Sequence, residues 1–177
     1  MAETKGQPAT GLARPGQCQT QLRTESELHF HLHWAVQRRP RNLAVALHRV
    51  FVTDVPNHIL RLFETHATFP NNPPVINGLK LSEIWQRGLA EIADGAGRTS
   101  SYYLFVMENG DKFFVRNENI IQPATAGKLT GTGVGHITGG TGKLGTIQGI
   151  VRQLTTFDPI AGALGDSQID IDYSMGK

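Results

Sequence analysis

The chain predicts an all-β protein, and three features of its sequence carry that prediction. Beyond Phe51 the apolar runs are short, rich in β-branched and aromatic residues, and separated by turn residues at fairly regular spacing. Asn109-Gly110 sits between two such runs, YYLFVM and KFFVRN, which is the strongest short-range hairpin signal a sequence offers. No segment after position 50 repeats its apolar residues at the 3.6-residue period over a helix length. Strands joined by tight turns in this way form a meander, which closes as a barrel or packs as a sandwich.

The bulk numbers agree with one globular domain. The 177 residues are 39% hydrophobic, enough for a sizeable core, and only 18% charged, well short of a charged disordered chain. A formal net charge of +2, with no Lys/Arg face interleaved with aromatics, gives no case for nucleic acid as a partner. Cys18 is the single cysteine, so no internal disulfide forms and the redox compartment stays open. There is no long apolar run and no basic-then-apolar leader, so no membrane partner is expected and the expected location is cytoplasmic.

In chain order, residues 1–25 are rich in Gln, Thr, Gly and Pro and read as a disordered tail. Residues 26–50 mix four His and four Arg with short apolar runs around Pro40, and Leu43–Leu47 could make a turn or two of helix. The expectation is a largely disordered or irregular extension over 1–50 and a β-barrel domain over 51–177. His58–Thr68 reads as a strand ended by Asn71-Asn72-Pro73-Pro74, because proline cannot continue a ladder. Leu81–Leu89 reads as a strand or a helical turn, and Asp94–Arg98 as a turn. Tyr102–Met107 and Lys112–Asn117 make a hairpin across Glu108–Asp111. Thr130–Thr138 and Thr146–Phe157 flank the turn Gly139–Lys143, Asp158-Pro159 starts a loop, and Gln168–Tyr173 is the last strand.

The stretch Leu129–Pro159, LTGTGVGHITGGTGKLGTIQGIVRQLTTFDP, resembles the glycine-rich hairpin of the allene oxide cyclase and dirigent proteins, a calycin-type family of small barrels. YLFVMENGDKFFVR looks like that family's central hairpin. The resemblance covers roughly 102–173, with weaker support back to about 55. It implies an eight-stranded antiparallel β-barrel, a size that holds one small ligand, and a homo-oligomer, trimer or dimer. The glycines suit this: Gly139, Gly140 and Gly142 permit the positive φ of a tight turn, and Gly133, Gly135, Gly145 and Gly149 permit strong bending. The string GGTGK is not a phosphate loop. Position 137 is Ile where a glycine is required, Leu144 stands where Ser or Thr is required, and both flanks read as strand.

Four groups of residues could carry chemistry. His29, His31 and His33 would share one face of a strand, a plausible start for a metal site, but no carboxylate follows at a zinc-like spacing and no metal is expected. Glu64, His66 and His58 alternate along 58–68. If their face lines the cavity, Glu64 and His66 become the acid or base, since an apolar wall raises a carboxyl pKa. The opposite face, with Ile59, Arg61, Phe63, Thr65 and Ala67, packs equally well, which would leave Glu64 an outer charge or an oligomer contact. Tyr102, Arg116 and His136 fall on neighbouring strands and could orient a ligand, or simply fix register. Trp85, alternating with Glu83 and Arg87, could pack a ligand or plug a barrel end.

The resemblance implies cofactor-independent chemistry, through a buried acid and an ordered water in the cyclases, or through charged cavity residues in the dirigent proteins. The likeness lies in the barrel-closing hairpins and not in the active-site strands, so neither activity is carried over. The expected function is a barrel that binds a small apolar molecule without a cofactor, with cyclase or isomerase chemistry as one outcome. A non-catalytic carrier and a self-filled structural barrel are the others.

Overall fold

The computed structural model describes residues 28–35, 47–52, 55–158 and 163–176, with side chains for 55–157 apart from position 126 and for 167–176. The chain is all-β. Ten strands follow one another, interrupted only by two short 3-10 turns at Thr125–Gly127 and Gly142–Leu144. The strands are β1 (Leu28–Ala35), β2 (Leu47–Val52), β3 (His58–Thr68), β4 (Val75–Ile76), β5 (Leu79–Ala93), β6 (Ala96–Met107), β7 (Lys112–Pro123), β8 (Leu129–Gly140), β9 (Ile147–Asp158) and β10 (Ala163–Met175). They form one antiparallel sheet in the order β1-β10-β9-β8-β7-β6-β5-β3-β2, with β4 attached to β5.

The meander from β5 to β10 follows the turn chemistry. Asp94 and Gly95, both at positive φ, turn β5 into β6. Gly110, at φ +85, turns β6 into β7, with the Gly110 amide donating to the Met107 carbonyl at 2.9 Å. Leu81–Leu89 is strand throughout, inside the longer β5. Two of the ten strands lie in the stretch read as an extension. β1 pairs with β10, Leu28 opposite Tyr173, and β2 pairs with β3, Leu47 opposite Phe63. Of the helical turn considered at 43–47, residues 43–46 lie outside the described residues and Leu47 opens β2.

Alternation assigns the two faces. Along β6 and β7 the odd-numbered residues are buried and most even-numbered ones are not, so one face of the sheet is inner and the other outer. The sheet curls until the inner face meets itself: the Tyr103 hydroxyl on β6 donates to Gln153 on β9, and the Asn77 amide between β4 and β5 donates to the Tyr173 hydroxyl on β10 at 2.9 Å. The inner face has two halves. Near the 108–111 and 141–146 turns it is apolar, with Ile76, Leu81, Phe105, Met107, Phe113 and Leu144 almost wholly buried. The Phe105 and Phe113 rings stack there with centroids 4.3 Å apart. Leu144, carried by a 3-10 turn, closes this end.

Candidate functional site

The other half of the inner face is polar, and it is the candidate site. Alternation points Gln86, Thr99, Ser101, Asn117, Asn119, Gln153, Thr155 and Ser167 inward, and these are the buried polar side chains among the described residues. All are uncharged. The Tyr103 hydroxyl donates to Gln153 Oε1 at 2.6 Å, and Asn117 Nδ2 donates to the same oxygen at 3.2 Å. Gln153 Nε2 then donates to Thr155 Oγ1 at 2.8 Å, which lies 2.8 Å from Ser167 Oγ. A second chain runs from Thr65 through Gln86 to Ser101, and Asn119 Nδ2 donates to Thr99 Oγ1 at 2.9 Å. Burial pushes the Tyr103 phenol well above its ordinary value, against smaller opposing effects of its hydrogen bonds with Gln153 and Gln86. At neutral pH it is therefore a hydrogen-bond donor and not a phenolate.

Glycines of β8 make room for this half. Asn119 faces Gly133 and Asn117 faces Gly135 across the β7–β8 ladder. A Cβ on Gly133 would fall 1.8 Å from Asn119 Oδ1, and one on Gly135 would fall 2.9 Å from Asn117 Oδ1. Both amide oxygens lack a conventional hydrogen-bond partner and rest against glycine backbone, where a weak Cα–H donor is what they meet. Gly131, one pair nearer the rim, is different: a Cβ there meets nothing closer than 3.9 Å. On β5, Gly88 leaves space that the Phe63 ring fills.

The residues singled out in the sequence are brought together, but on the outer face. The ladders place Glu64, Arg87, Tyr102, Arg116 and His136 in one row across five strands. Glu64 pairs with Arg87 at 2.5 Å, and the Arg87 guanidinium lies 5.1 Å over the Trp85 ring. His66 stacks on the other partner of that row, Trp85, with centroids 3.8 Å apart. Glu83 accepts from Trp85 Nε1 at 2.9 Å and lies 2.7 Å from His66 Nε2. His58 lies 3.3 Å from Glu91, and Arg116 sits 5.8 Å over Tyr102. Glu64 and His66 thus face charged neighbours and solvent, not an apolar wall. The inner face of β3 is the alternative one, carrying Ile59, Arg61, Phe63, Thr65 and Ala67. Trp85 plugs no end of the interior.

The neutral interior was not singled out from the sequence. Its signal lies in phase: Asn117 and Asn119 continue the alternation of Phe113 and Val115, and Gln153 and Thr155 continue that of Val151. The backbone of His29, His31 and His33 is described as part of β1, while their side chains lie outside the described residues. Among the described side chains, no group of three or more His, Cys, Asp or Glu is disposed to hold a metal. No described helix is long and apolar enough to cross a membrane.

No family model matches the chain, and no curated protein matches it. Among solved structures it is similar to a pterocarpan synthase dirigent protein, GePTS1, at 15% sequence identity and a TM-score of 0.46, over 93% of this chain and 98% of that one.

Proposed function

We propose that the protein is a binding barrel for a small, mainly apolar molecule bearing hydroxyl or carbonyl groups, held in the polar half of the inner face. One observation carries this reading: every buried polar side chain among the described residues is neutral, and those side chains form hydrogen-bonded chains beside an apolar wall. Such a lining orients a neutral ligand by direction of hydrogen bonds, the usual arrangement of a small-molecule site. It supplies no ionised acid or base at neutral pH. That favours a carrier, or a protein that holds a reactive molecule in one conformation, over a cyclase working by proton transfer.

The same reading takes the working form as a homo-oligomer. Its support is the outer face of β7–β9, where Ile120 and Val134 are 57% and 59% exposed and Ile150 and Leu154 flank them. Charges of both signs border the patch, Arg116 with Glu118 at 3.8 Å and Arg152 with Asp172, so a second copy turned about a symmetry axis can match them.

Native mass spectrometry of the purified protein, with extraction of whatever co-purifies, tests both. A retained neutral metabolite in an assembly of defined mass is the expected result. An empty protein, together with no binding of any neutral aromatic or terpenoid probe, overturns the binding reading and leaves a self-filled barrel.

A further inference from the structure

The run HFHLH has no nearby carboxylate in sequence, but the fold brings one to it from the far end of the described chain. The β1–β10 ladder sets His29 opposite Asp172, His31 opposite Asp170 and His33 opposite Gln168. Residues directly opposite in an antiparallel pair share a face and have Cβ atoms about 4.5–5.5 Å apart, and residues two apart on a strand are about 6.6–6.8 Å apart along one face. That face is the outer one, since Ile169 and Ile171 on β10 are fully buried on the other. Two imidazole positions and one carboxylate position therefore fall within a few ångströms on a single sheet surface. Imidazole with carboxylate is a donor set for zinc and neighbouring divalent transition metals.

We propose that His31 and His33 of β1 and Asp170 of β10 form a divalent transition-metal site with an open fourth position. The choice among the histidines follows from charge. At the His29 end, Asp172 accepts from Arg152 Nη1, and a guanidinium beside a carboxylate opposes a second cation there. Arg152 stands opposite Asp170 in the β9–β10 ladder but directs that donor diagonally to Asp172. Asp170 accepts from Gln168 Nε2 at 3.2 Å, the kind of amide contact that orients a ligating carboxylate. A metal here would tie β1 to β10 at one end of the sheet, so its binding free energy adds to the stability of that pairing.

The test uses the untagged full-length protein, titrated first with Co²⁺ alone and then with Zn²⁺ as competitor. The expected result is one Co²⁺ per chain with the intense visible absorption of a low-coordinate site, displaced by Zn²⁺. Zn²⁺ should also raise the thermal midpoint, reversibly on chelation. His31→Gln and Asp170→Asn should each weaken binding at least about tenfold, while His136→Gln on the distant part of the outer face leaves it unchanged. Circular dichroism of the metal-free variants checks their fold. Should one fail that check, His33→Gln replaces it with the same expected loss. Absence of the cobalt spectrum in large excess of metal overturns the proposal, as does a spectrum retained in the His31 and Asp170 variants. Either result would mean that these rows are plain His–Asp pairs.

Discussion

Gly142 and Asp111 show how much a single residue decides in this protein. Gly142 stands at φ +54, and a Cβ there would fall 1.9 Å from Asp111 Oδ1. The Asp111 carboxylate accepts from Asn109 Nδ2 at 2.9 Å and from the Lys143 amide at 3.0 Å, bracing one hairpin turn against the next. Gly142→Val therefore adds backbone strain to a clash, and a loss of roughly 1–3 kcal/mol is expected in chemical denaturation. The Asn109 side chain, then the Lys143 amide and charge, hold the Asp111 carboxyl below its ordinary value. A lowered carboxyl pKa contributes stability above the unfolded value, about 3.9, and loses it as pH falls through the folded one. Hence Asp111→Asn should lower the denaturation midpoint at neutral pH, and its difference from the wild type should vanish toward about pH 2. A difference that persists in acid would show that the carboxylate charge is not what braces the turns. Of the two, only the glycine was legible in sequence, because Asp111 meets Lys143 across thirty-odd residues of intervening chain.

At the scale of the strand, the ladder β7–β8 is built on a trade of volume: asparagine on one strand, glycine on the other. Gly133 and Gly135 were read as bending positions, yet neither has positive φ, and both are occupied by their partners' amides instead. Gly133→Ala should cost roughly 1–3 kcal/mol by overpacking, and Asn119→Ala in the same chain should relieve part of it. Strict additivity in that double-mutant cycle would show that the two residues do not share the space. The strands themselves were legible from their turns and alternation. The faces were not, because bulges interrupt the phase. Ser82 is an extra residue between Leu81 and Glu83, so odd positions point inward before it and even positions after it. A second extra residue, Thr138, sits where the register slips between Phe114 and Val115. With β3 half-buried along most of its length, alternation there could not choose between Glu64 and Arg61.

For the whole molecule, the inner half that binds and the outer face that assembles make separable predictions. Gly131 is the inner position with room for a side chain, so Gly131→Leu should fold normally and abolish retention of the co-purifying ligand. Unchanged retention would place the ligand elsewhere. Val134→Asp should shift native mass to the monomer with the ligand still bound, whereas an unchanged oligomer would move the interface off β7–β9. The all-β class was legible because it rests on local signals, the hairpin at Asn109-Gly110 above all. The neutral interior was not, because it is assembled from β3, β5, β6, β7, β9 and β10, and no window of sequence contains it.

The pairing of β1 with β10 has a consequence for biosynthesis. Leu28 faces Tyr173, so a strand that leaves the ribosome early must wait, unpaired, for one made near the end. Its other neighbours in sequence, β2 and β3, lie at the opposite end of the sheet order and cannot shelter it. The nascent chain thus carries an open strand edge through most of translation, the period in which such edges recruit other chains. Closing that long-range pair last also makes folding slow for the size of the protein. Selection then acts on HFHLH twice, once for what it contributes when paired and once for staying soluble while alone, and its alternating histidines keep that waiting edge polar.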